Sequence, residues 1–400
     1  MRKILLLSAL SLFSMGLQAQ RKFKITLDES HHGSYTVSPK LPKDGIVKRG
    51  TILTIKSNPD EGYIPDGGYY ATIQDGYVQY HEFMHSSFNV KVDREMSLGY
   101  SFVKKDVEEK LRVIQNIVYA KPGVKTLKYD IYSPMNKDQL PCIIIIHGGG
   151  WSSNSEDVMR GLARELANSG RYVVFNIDYR WMDKLDGDKK PTALHQIIED
   201  VYGAVIHIME NASMYGGDSS SIFLTGDSAG GHLAASVANF VDRIGDKGFN
   251  KLNNIYQFLP TYMPKGKTIE EVKEKLSKSI KGVAPSYGVF SMQMLSQRFA
   301  NYAFVKEVAP INYIPDASSR VLPYFLLRGT EDKLIKNEEV ESYAQALIKA
   351  GQRVEYLQVG GADHAFFDWK PDEETQETFN KYGKYYSKHI LLFFDSILGK

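Results

Sequence analysis

The chain has 400 residues, of which 43% are apolar and 24% are charged, and its formal net charge is +2. This composition is typical of a folded globular protein and excludes a fibrous or largely disordered chain. A near-neutral chain without a basic block has no long-range field for phosphate backbones or anionic membranes, so we expect no nucleic-acid partner.

The first nineteen residues have the pattern of a secretory signal peptide. Arg2-Lys3 supplies a short positive start, Ile4 to Phe13 form a brief apolar core, and the small Ala19 precedes Gln20 as a cleavage position. The apolar core is too short to cross a membrane as a helix, and we expect no membrane span elsewhere. The pattern predicts export to the periplasm or the extracellular space after cleavage near Ala19-Gln20.

The chain has a single cysteine, Cys142. It has no partner for an internal disulfide and no other cysteine with which to build a metal site. It lies in an apolar run, where we expect it to be a small buried side chain.

Residues 20–104 predict a small β module. Alternating runs such as Phe23 to Leu27 and Thr51 to Ile55 indicate half-exposed strands, and turn dipeptides such as Asn58-Pro59 separate them. The stretches Gly33 to Pro39, Lys48 to Thr51 and Pro59 to Tyr63 resemble the divergent bacterial repeat modules related to internalin B-repeats.

Four tyrosines of this module leave two interpretations open. They are expected to be exposed, and either they stack on sugar rings or they belong to a packing or spacer module, since aromatic residues in strands usually serve the core. The four are Tyr69, Tyr70, Tyr77 and Tyr80.

Residues 105–400 predict an α/β domain, whose first residues belong to a charged linker over 104–111. A hairpin comes first, with strands over 111–120 and 127–132. Strands are then predicted over 142–146, 172–177, 221–225, 280–285, 324–328 and 354–359. Helices are predicted over 158–168, 193–211, 229–240, 269–278, 338–349 and 380–398. This alternation indicates a mostly parallel sheet with helices on both faces. The interruption at 243–279 is either part of a lid or acyl-binding wall, or a surface excursion.

Ser228 is the candidate nucleophile. It stands in Gly226-Asp227-Ser228-Ala229-Gly230, between a predicted strand and a predicted helix. A serine hydroxyl is a weak nucleophile that requires a base, a group to orient the base, and donors for the oxyanion. A sharp strand-to-helix turn bounded by glycines exposes the serine at a helix N-terminus.

The loop His147-Gly148-Gly149-Gly150-Trp151 is the candidate oxyanion loop. It directly follows a buried strand, and glycines let main-chain N–H groups approach a substrate oxygen. We expect Gly149 and Gly150 to be donors, with the N–H of Ala229 as a third. His147, Gly148, Trp151 and Asp227 are expected to bind the substrate or to support the loop, with His147 in a structural role.

The candidate acid and base follow two later strands. Asp332 lies in Gly329 to Leu334, and His364 lies in Gly360 to Phe366. Open α/β sheets place their sites at the carboxyl ends of strands, and the chain order serine, aspartate, histidine is the one expected there. Glu331 and Asp363 are adjacent carboxylates that compete with Asp332 for the role of the acid.

Residues 111–398 resemble the esterase/lipase branch of the α/β-hydrolases, the group related to hormone-sensitive lipase. The matching stretches are collinear: Tyr129 to Pro134, His147 to Trp151, Asp178-Tyr179-Arg180, Glu199-Asp200, Gly226 to Gly231, Gly329 to Leu334 and Asp363 to Phe366. The resemblance implies a Ser228–His364–Asp332 triad and an oxyanion hole at Gly149, Gly150 and Ala229. The Pro-Glu that often follows the family's Tyr-Arg pair is replaced here by Trp181-Met182-Asp183.

The function predicted from these residues is that of an exported serine esterase that needs no metal or organic cofactor. Its substrate would be an acylated plant polysaccharide such as xylan, with feruloyl or acetyl groups removed. The alternatives are a general short-chain carboxylesterase or lipase, and an arylformamidase or peptidase on the same scaffold. A catalytically inactive binding protein is the alternative from another class.

Overall fold

The computed structural model describes residues 21–74, 77–182, 184, 186, 190–247, 257–299 and 305–400. The predicted signal peptide, Asp183 and positions 248–256 of the predicted insertion lie outside the described residues. The chain divides into two compact units, the described part of Met1–Glu109 with Lys370–Glu373, and Lys110–Trp369 with Glu374–Lys400. Among the described residues, no helix combines the length and hydropathy that a membrane crossing requires.

The smaller unit is built from short strands, as the alternating runs predict. Its strands are β1 (Lys22–Leu27), β2 (Gly33–Ser38), β3 (Ile46–Lys48), β4 (Ile52–Pro59), β5 (Tyr63–Gln74), β6 (Tyr77–Phe83), β7 (Ser87–Lys91) and β8 (Met96–Lys104). They form one sheet in the order β3-β1-β8-β5-β6 and another in the order β2-β4-β7. The pairing is antiparallel apart from β1 with β8, which is parallel.

The expectation that the tyrosines of this unit are exposed is wrong for Tyr69. Its side chain is 6% exposed, and its hydroxyl donates to Asp28 Oδ2 at 3.0 Å. Tyr80 packs edge-on against Tyr69, with ring centroids 5.2 Å apart, and half-buried Tyr70 stacks on His81 at 4.4 Å. Antiparallel pairing brings these rings together on the sheet surface, and aromatic pairs gain from such contacts. The side chain of Tyr77 is not among those described.

The larger unit contains one mixed sheet. Its strands are β9 (Leu111–Ala120), β10 (Leu127–Pro134), β11 (Leu140–Ile146), β12 (Val173–Ile177), β13 (Gly217–Asp227), β14 (Ile280–Ser286), β15 (Tyr324–Gly329) and β16 (Val354–Val359). Their order is β9-β10-β12-β11-β13-β14-β15-β16. Antiparallel pairing is confined to β9–β10 and β10–β12, and the other neighbours are parallel. The central strands are continuous apolar runs because helices cover them.

Helices connect the parallel strands. They are α1 (Arg160–Asn168), α2 (Leu194–Asn211), α3 (Ala229–Asn239), α4 (Ile269–Ser279), α5 (Met292–Arg298), α6 (Val305–Val308), α7 (Asn337–Lys349), α8 (Glu373–Thr378) and α9 (Lys384–Ile397). Helices α1 and α9 pack together, as do α2 and α3. The predicted C-terminal helix begins earlier than expected, because α8 continues through a π-helical turn at Phe379–Gly383 into α9. Helix α8 buries no side chain, so its sequence lacks the apolar periodicity that predicts a helix.

The segment 259–261 of the insertion at 243–279 lies against α2. The N–H groups of Leu259 and Thr261 donate to the side chain and the carbonyl of Glu199, at 2.6 and 3.0 Å. Helix α4 ends at Ser279, directly before β14 begins at Ile280. Because β13 and β14 are parallel, the junction of α4 with β14 lies at the edge of the sheet opposite to the one that carries Ser228.

Candidate active site

The turn between β13 and α3 holds Ser228 in a conformation that few residues adopt. Ser228 has φ 51° and ψ −115°. A Cβ atom added at Gly226 or Gly230 would lie 2.5 or 1.9 Å from the carbonyl oxygen of Ile146. The two glycines of the pattern are therefore required because β11 passes directly against the turn. The N–H of Ser228 donates to the carbonyl of Ser286 at 3.0 Å, which holds the strained residue from the other side.

The three predicted catalytic residues meet at the carboxyl edge of the sheet. His364 Nε2 lies 2.9 Å from Ser228 Oγ, and His364 Nδ1 lies 2.8 Å from Asp332 Oδ2. Both distances are within hydrogen-bond range. The histidine therefore connects the serine hydroxyl to the carboxylate, although Ser228 is more than one hundred positions away from both partners in the chain.

Main-chain donors fix the orientation of the Asp332 carboxylate. Its Oδ1 accepts from the N–H of Leu334 at 2.9 Å and from the N–H of Ile335 at 2.8 Å. With Oδ1 occupied, Oδ2 faces His364 and accepts from Nδ1–H, so Nε2 of the neutral ring is the proton acceptor for Ser228. The Asp332 side chain is fully buried and that of His364 is 19% exposed, so the base is open to solvent and the acid is not.

Asp363 and Glu331, the two carboxylates that compete with Asp332 for the role of the acid, are both exposed. Asp363 is exposed, and its Oδ1 accepts from the N–H of His364 at 2.7 Å without reaching the ring. Glu331 is exposed, and its own N–H donates to the carbonyl of Ala362 at 2.9 Å. Of the three candidate acids, Asp332 is the one that is hydrogen-bonded to the imidazole in the described structure.

The glycine loop after β11 is the candidate oxyanion loop. Gly149 and Gly150 have φ of 114° and 59°, which side chains rarely allow. The carbonyl of Gly149 accepts from the N–H groups of Ser152 and Ser153, both at 3.1 Å, which closes the loop. No backbone hydrogen bond between described residues uses the N–H of Gly149 or Gly150. Ala229 is the first residue of α3, where N–H groups have no acceptor within the helix.

Asp227 and His147 support this loop from beneath. Asp227 Oδ1 accepts from the N–H of Gly148 at 2.6 Å, which ties the oxyanion loop to the residue before the nucleophile. His147 is fully buried; its Nδ1 donates to the carbonyl of Gly148 at 2.7 Å, and its Nε2 lies 3.4 Å from Asp178 Oδ1. These contacts place His147 in the loop's support and not beside Ser228.

The Tyr179-Arg180 pair extends this support to α2. Tyr179 stacks on His147 with ring centroids 4.1 Å apart, and its hydroxyl donates to the carbonyl of His147 at 2.8 Å. Arg180 donates from Nε and Nη2 to both oxygens of the buried Asp200, at 2.7 and 2.8 Å. A buried bidentate pair fixes the geometry more strictly than a single charge contact.

Trp151 is buried and held by a histidine that the sequence patterns did not indicate. Its Nε1–H donates to His232 Nδ1 at 3.1 Å, and His232 Nε2–H donates to the carbonyl of Val308 at 2.7 Å. Full burial lowers the pKa of His232 to about 4, so the ring is neutral and has one donor and one acceptor as these two bonds require. On its other side Trp151 packs edge-on against Phe299 at 5.2 Å.

Tyr287 is a second residue that sequence reasoning missed. It follows β14, has φ 35°, and packs edge-on against His364 with ring centroids 4.9 Å apart. Its hydroxyl accepts from the N–H of Phe367 at 3.2 Å, so it supports the segment that carries the base. The rule that sites follow strand carboxyl ends could have indicated Tyr287, because Ser286 ends β14 beside the nucleophile turn.

The exposed side of the oxyanion loop carries a positive side chain. A Cβ atom added at Gly150 would lie 3.3 Å from Arg298 Nη2, and Arg298, at the end of α5, is exposed. The loop therefore lies between the buried support of Trp151 and a solvent-facing guanidinium.

The chain is similar in sequence to proteins that are named as esterases. The chain is 34% identical over 124 residues to Carboxylesterase NlhH of Mycobacterium tuberculosis, which covers 31% of this chain and 37% of that protein. It is 26% identical over 247 residues to Esterase LipQ of the same species, covering 56% of this chain and 50% of that protein. The chain thus spans half or less of the length of these two relatives.

Solved structures match the fold over most of the chain. Thermogutta terrifontis esterase 2 has a TM-score of 0.52 at 23% identity, covering 71% of this chain and 95% of that one. A truncated carbohydrate esterase from gut microbiota has a TM-score of 0.53 at 20% identity, covering 73% and 99%. These similarities show the α/β-hydrolase fold. The BD-FAE family model matches residues 129–347, more than half of the 400 residues, and the chain therefore belongs to the BD-FAE family.

Proposed function

We propose that the protein is a serine esterase that hydrolyses carboxylic esters through an acyl-enzyme on Ser228. The observation that carries the proposal is the continuous hydrogen-bond path from Ser228 Oγ through His364 to Asp332, at 2.9 and 2.8 Å. Membership of the BD-FAE family and similarity to proteins named carboxylesterase and esterase support the same activity.

Acylation begins at the serine hydroxyl. Ser228 Oγ attacks the ester carbonyl carbon while His364 Nε2 takes the hydroxyl proton, and Asp332 stabilises the imidazolium through Nδ1–H. The carbonyl oxygen becomes an oxyanion that the N–H groups of Gly149, Gly150 and Ala229 bind. The tetrahedral intermediate then expels the alcohol, which receives the proton from His364 Nε2, and the acyl group remains on Ser228.

Deacylation repeats these steps with water as the nucleophile. His364 takes a proton from water, the resulting hydroxide attacks the acyl carbon, and the carboxylic acid leaves as the proton returns to Ser228 Oγ. The partial exposure of the His364 side chain, 19%, supports access of water to this position. Every proton transfer uses side chains of this chain.

The test of the activity compares Ser228 with Ser286, whose carbonyl accepts from the N–H of Ser228. Ser228→Ala is expected to abolish release of p-nitrophenol from p-nitrophenyl acetate while the protein stays folded. Ser286→Ala is the matched control, because the buried Ser286 hydroxyl has no hydrogen-bond partner among the described residues and its carbonyl is retained. Undiminished turnover by Ser228→Ala would refute the proposal, and so would equal loss in both variants.

For the natural substrate, we propose an acylated plant cell-wall polysaccharide from which feruloyl or acetyl groups are removed outside the cytoplasm. The signal-peptide pattern of residues 1–19 and the β module before the hydrolase unit support this choice. A general short-chain carboxylesterase is the second candidate, favoured by the relative named carboxylesterase. Amide hydrolysis is the weaker option, because a formamidase would act on a cytoplasmic metabolite.

One substrate panel separates these candidates. Methyl ferulate, acetylated xylan, p-nitrophenyl esters of increasing acyl length and an aryl formamide would be compared by kcat/KM. Preference for methyl ferulate or acetylated xylan supports the polysaccharide proposal, whereas a maximum at simple short-chain esters contradicts it. Export is tested separately by locating the full-length protein in cell fractions and reading its N-terminus, which is expected to be Gln20.

A further inference from the structure

A group of acidic side chains lies apart from the triad, between β10, β12 and the segment that follows the oxyanion loop. Asp130, Glu156 and Asp157 each place a carboxylate oxygen within 4.8 Å of the other two. Glu156 is fully buried, Asp130 is 2% exposed, and Asp157 is half-buried. Three carboxylates this close, taken out of water, repel one another strongly unless a cation or protons neutralise them.

Neighbouring cations compensate part of this charge. Lys128 Nζ lies 2.8 Å from Glu156 Oε1, and Arg160 Nη1 donates to the main-chain carbonyl of Asp157 at 2.8 Å. The three carboxylates with these two cations carry a formal charge of −1, from −3 and +2. The side-chain cations therefore leave an excess of negative charge in the cluster.

Two buried oxygen atoms of the group lack hydrogen-bond donors. Among the described residues none donates to Glu156 Oε2 or to Asn176 Oδ1, and both residues are 0% exposed. Asn176 on β12 pairs in register with Asp130 on β10, so the two side chains lie on the same face of the sheet. Its Nδ2 donates to the carbonyl of Glu156, which holds the amide beside the acidic group. Buried oxygens without donors are the atoms that a cation would bind.

The remaining contacts orient the carboxylates without neutralising them. Asp130 Oδ1 accepts from the N–H of Asn116 at 2.7 Å, and Asp157 Oδ2 accepts from the hydroxyl of Ser155 at 3.2 Å. A carboxylate has about four lone-pair sites on its two oxygens, so each of these acids can bind a cation in addition to its donors. The ligand set is composed of oxygens only, as hard cations prefer.

We propose that Asp130, Glu156, Asp157 and Asn176 bind one divalent cation, of which Ca²⁺ fits best. Mg²⁺ demands near-ideal octahedral geometry, keeps several waters and is usually held by one or two carboxylates, whereas Ca²⁺ accepts more carboxylate and carbonyl oxygens in a flexible geometry. One oxygen from each of the three acids lies within 4.8 Å of the other two, so three carboxylates are available to one ion, which favours Ca²⁺. Four protein ligands leave positions for water, as Ca²⁺ sites with six to eight ligands accept.

The position of the site gives the ion a structural role. Glu156 and Asp157 follow the oxyanion loop within one short segment, and Asp130 belongs to β10, so the ion joins the end of that loop to the sheet. It takes no part in the proposed ester chemistry, which uses Ser228, His364 and Asp332. The inference therefore holds or fails independently of the proposed esterase activity.

The test uses the full-length protein after treatment with a chelator. Isothermal titration with CaCl₂ is expected to show one site with a dissociation constant of about 1 mM or tighter. At a hundredfold excess over that constant, Ca²⁺ should raise the unfolding temperature by roughly 5 °C relative to EDTA. MgCl₂ should bind at least tenfold more weakly. Absence of Ca²⁺ binding would refute the site, and equal binding of Mg²⁺ would refute the choice of ion.

Variants locate the binding. Glu156→Gln keeps the size of the side chain and is expected to abolish both the titration heat and the temperature shift. Asp157→Asn alters a less buried residue, serves if the first variant does not fold, and should weaken binding at least tenfold. Asp316→Asn, which alters an exposed carboxylate, is the control and should bind as the unaltered protein does. Full binding by folded Glu156→Gln or Asp157→Asn would overturn the assignment.

Discussion

Replacing Asp332 with asparagine should stop catalysis by reversing the proton positions on His364. The amide introduced by Asp332→Asn has one acceptor end and one donor end, whereas the carboxylate has two acceptors. The N–H groups of Leu334 and Ile335, at 2.9 and 2.8 Å, require the acceptor at the position of Oδ1. The NH₂ donor of the amide would then occupy the Oδ2 position, 2.8 Å from His364 Nδ1.

This arrangement makes Nδ1 of His364 an acceptor and leaves the proton on Nε2. Nε2 lies 2.9 Å from Ser228 Oγ, so a protonated Nε2 cannot accept the serine proton. In serine proteases the same substitution lowers kcat by about 10⁴, which at about 1.36 kcal/mol per tenfold is about 5.5 kcal/mol of barrier. We expect a comparable loss here, with little change in fold because the side-chain volume is kept.

The assay is steady-state hydrolysis of p-nitrophenyl acetate, with thermal unfolding to show that each variant is folded. Asp363→Asn is the matched control, since it removes a carboxylate next to His364 whose Oδ1 accepts from the main-chain N–H of His364 at 2.7 Å, and it should keep kcat within about threefold. A folded Asp332→Asn variant within tenfold of the unaltered kcat would refute the tautomer argument. A loss in Asp363→Asn as large as that in Asp332→Asn would refute the choice of acid.

Three further predictions concern the support of the site and are read by chemical or thermal unfolding. Gly230→Ala places a Cβ 1.9 Å from a carbonyl oxygen and should cost at least about 3 kcal/mol or prevent folding, whereas Gly360→Ala meets no atom within 4 Å and should change stability by less than about 1 kcal/mol. Arg180→Lys breaks a buried bidentate ion pair and should cost about 3 kcal/mol, against less than about 0.5 kcal/mol for Arg94→Lys in an exposed pair. The pKa of His232 is lowered to about 4 from 6.5, so the folded state binds its proton at lower pH than the unfolded state. The stabilisation of the folded state by neutral His232 is therefore complete above pH 6.5 and is lost as the pH falls toward 4. Over that range the free energy of unfolding of the unaltered protein should fall by about 3 kcal/mol relative to that of His232→Gln. If the free energy of unfolding changed equally with pH in the unaltered protein and in His232→Gln, the argument for His232 would be contradicted. Equal losses of stability within the glycine pair or within the arginine pair would contradict the argument for that pair.

The residues of the triad were predictable because local sequence determines where each one stands. Ser228, Asp332 and His364 each follow a buried apolar strand, and parallel neighbouring strands place their carboxyl ends along one edge. Strand positions along the chain therefore sufficed to bring three distant residues together. The glycines around Ser228 were equally visible, since the close approach of β11 permits no side chain there.

The supporting residues were not predictable by the same reasoning. His232 lies inside α3, where its type and spacing resemble those of any core residue, and its role depends on the indole of Trp151 arriving from the loop after β11. Tyr69 is predicted to be exposed, yet pairing of β5 with β8 and the acceptor Asp28 bury it. In both cases the deciding contact comes from a residue far away in the chain.

The proposed cation site shows why an oxygen-rich site can escape sequence analysis even when every ligand is visible. Motif-based metal sites draw several ligands from one loop with fixed spacing, whereas Asp130 and Asn176 become neighbours only through the antiparallel register of β10 and β12. Glu156 joins them because the chain returns to the sheet after the oxyanion loop. The positive φ angles of Gly149 and Gly150 shape that loop. The segment that follows β11 thus carries the candidate oxyanion donors Gly149 and Gly150 near its start and the carboxylates of Glu156 and Asp157 near its end. A substitution that relaxes the loop, such as Gly149→Ala at φ 114°, should consequently weaken Ca²⁺ binding and slow ester hydrolysis together, and loss of only one of the two would separate the loop from the site.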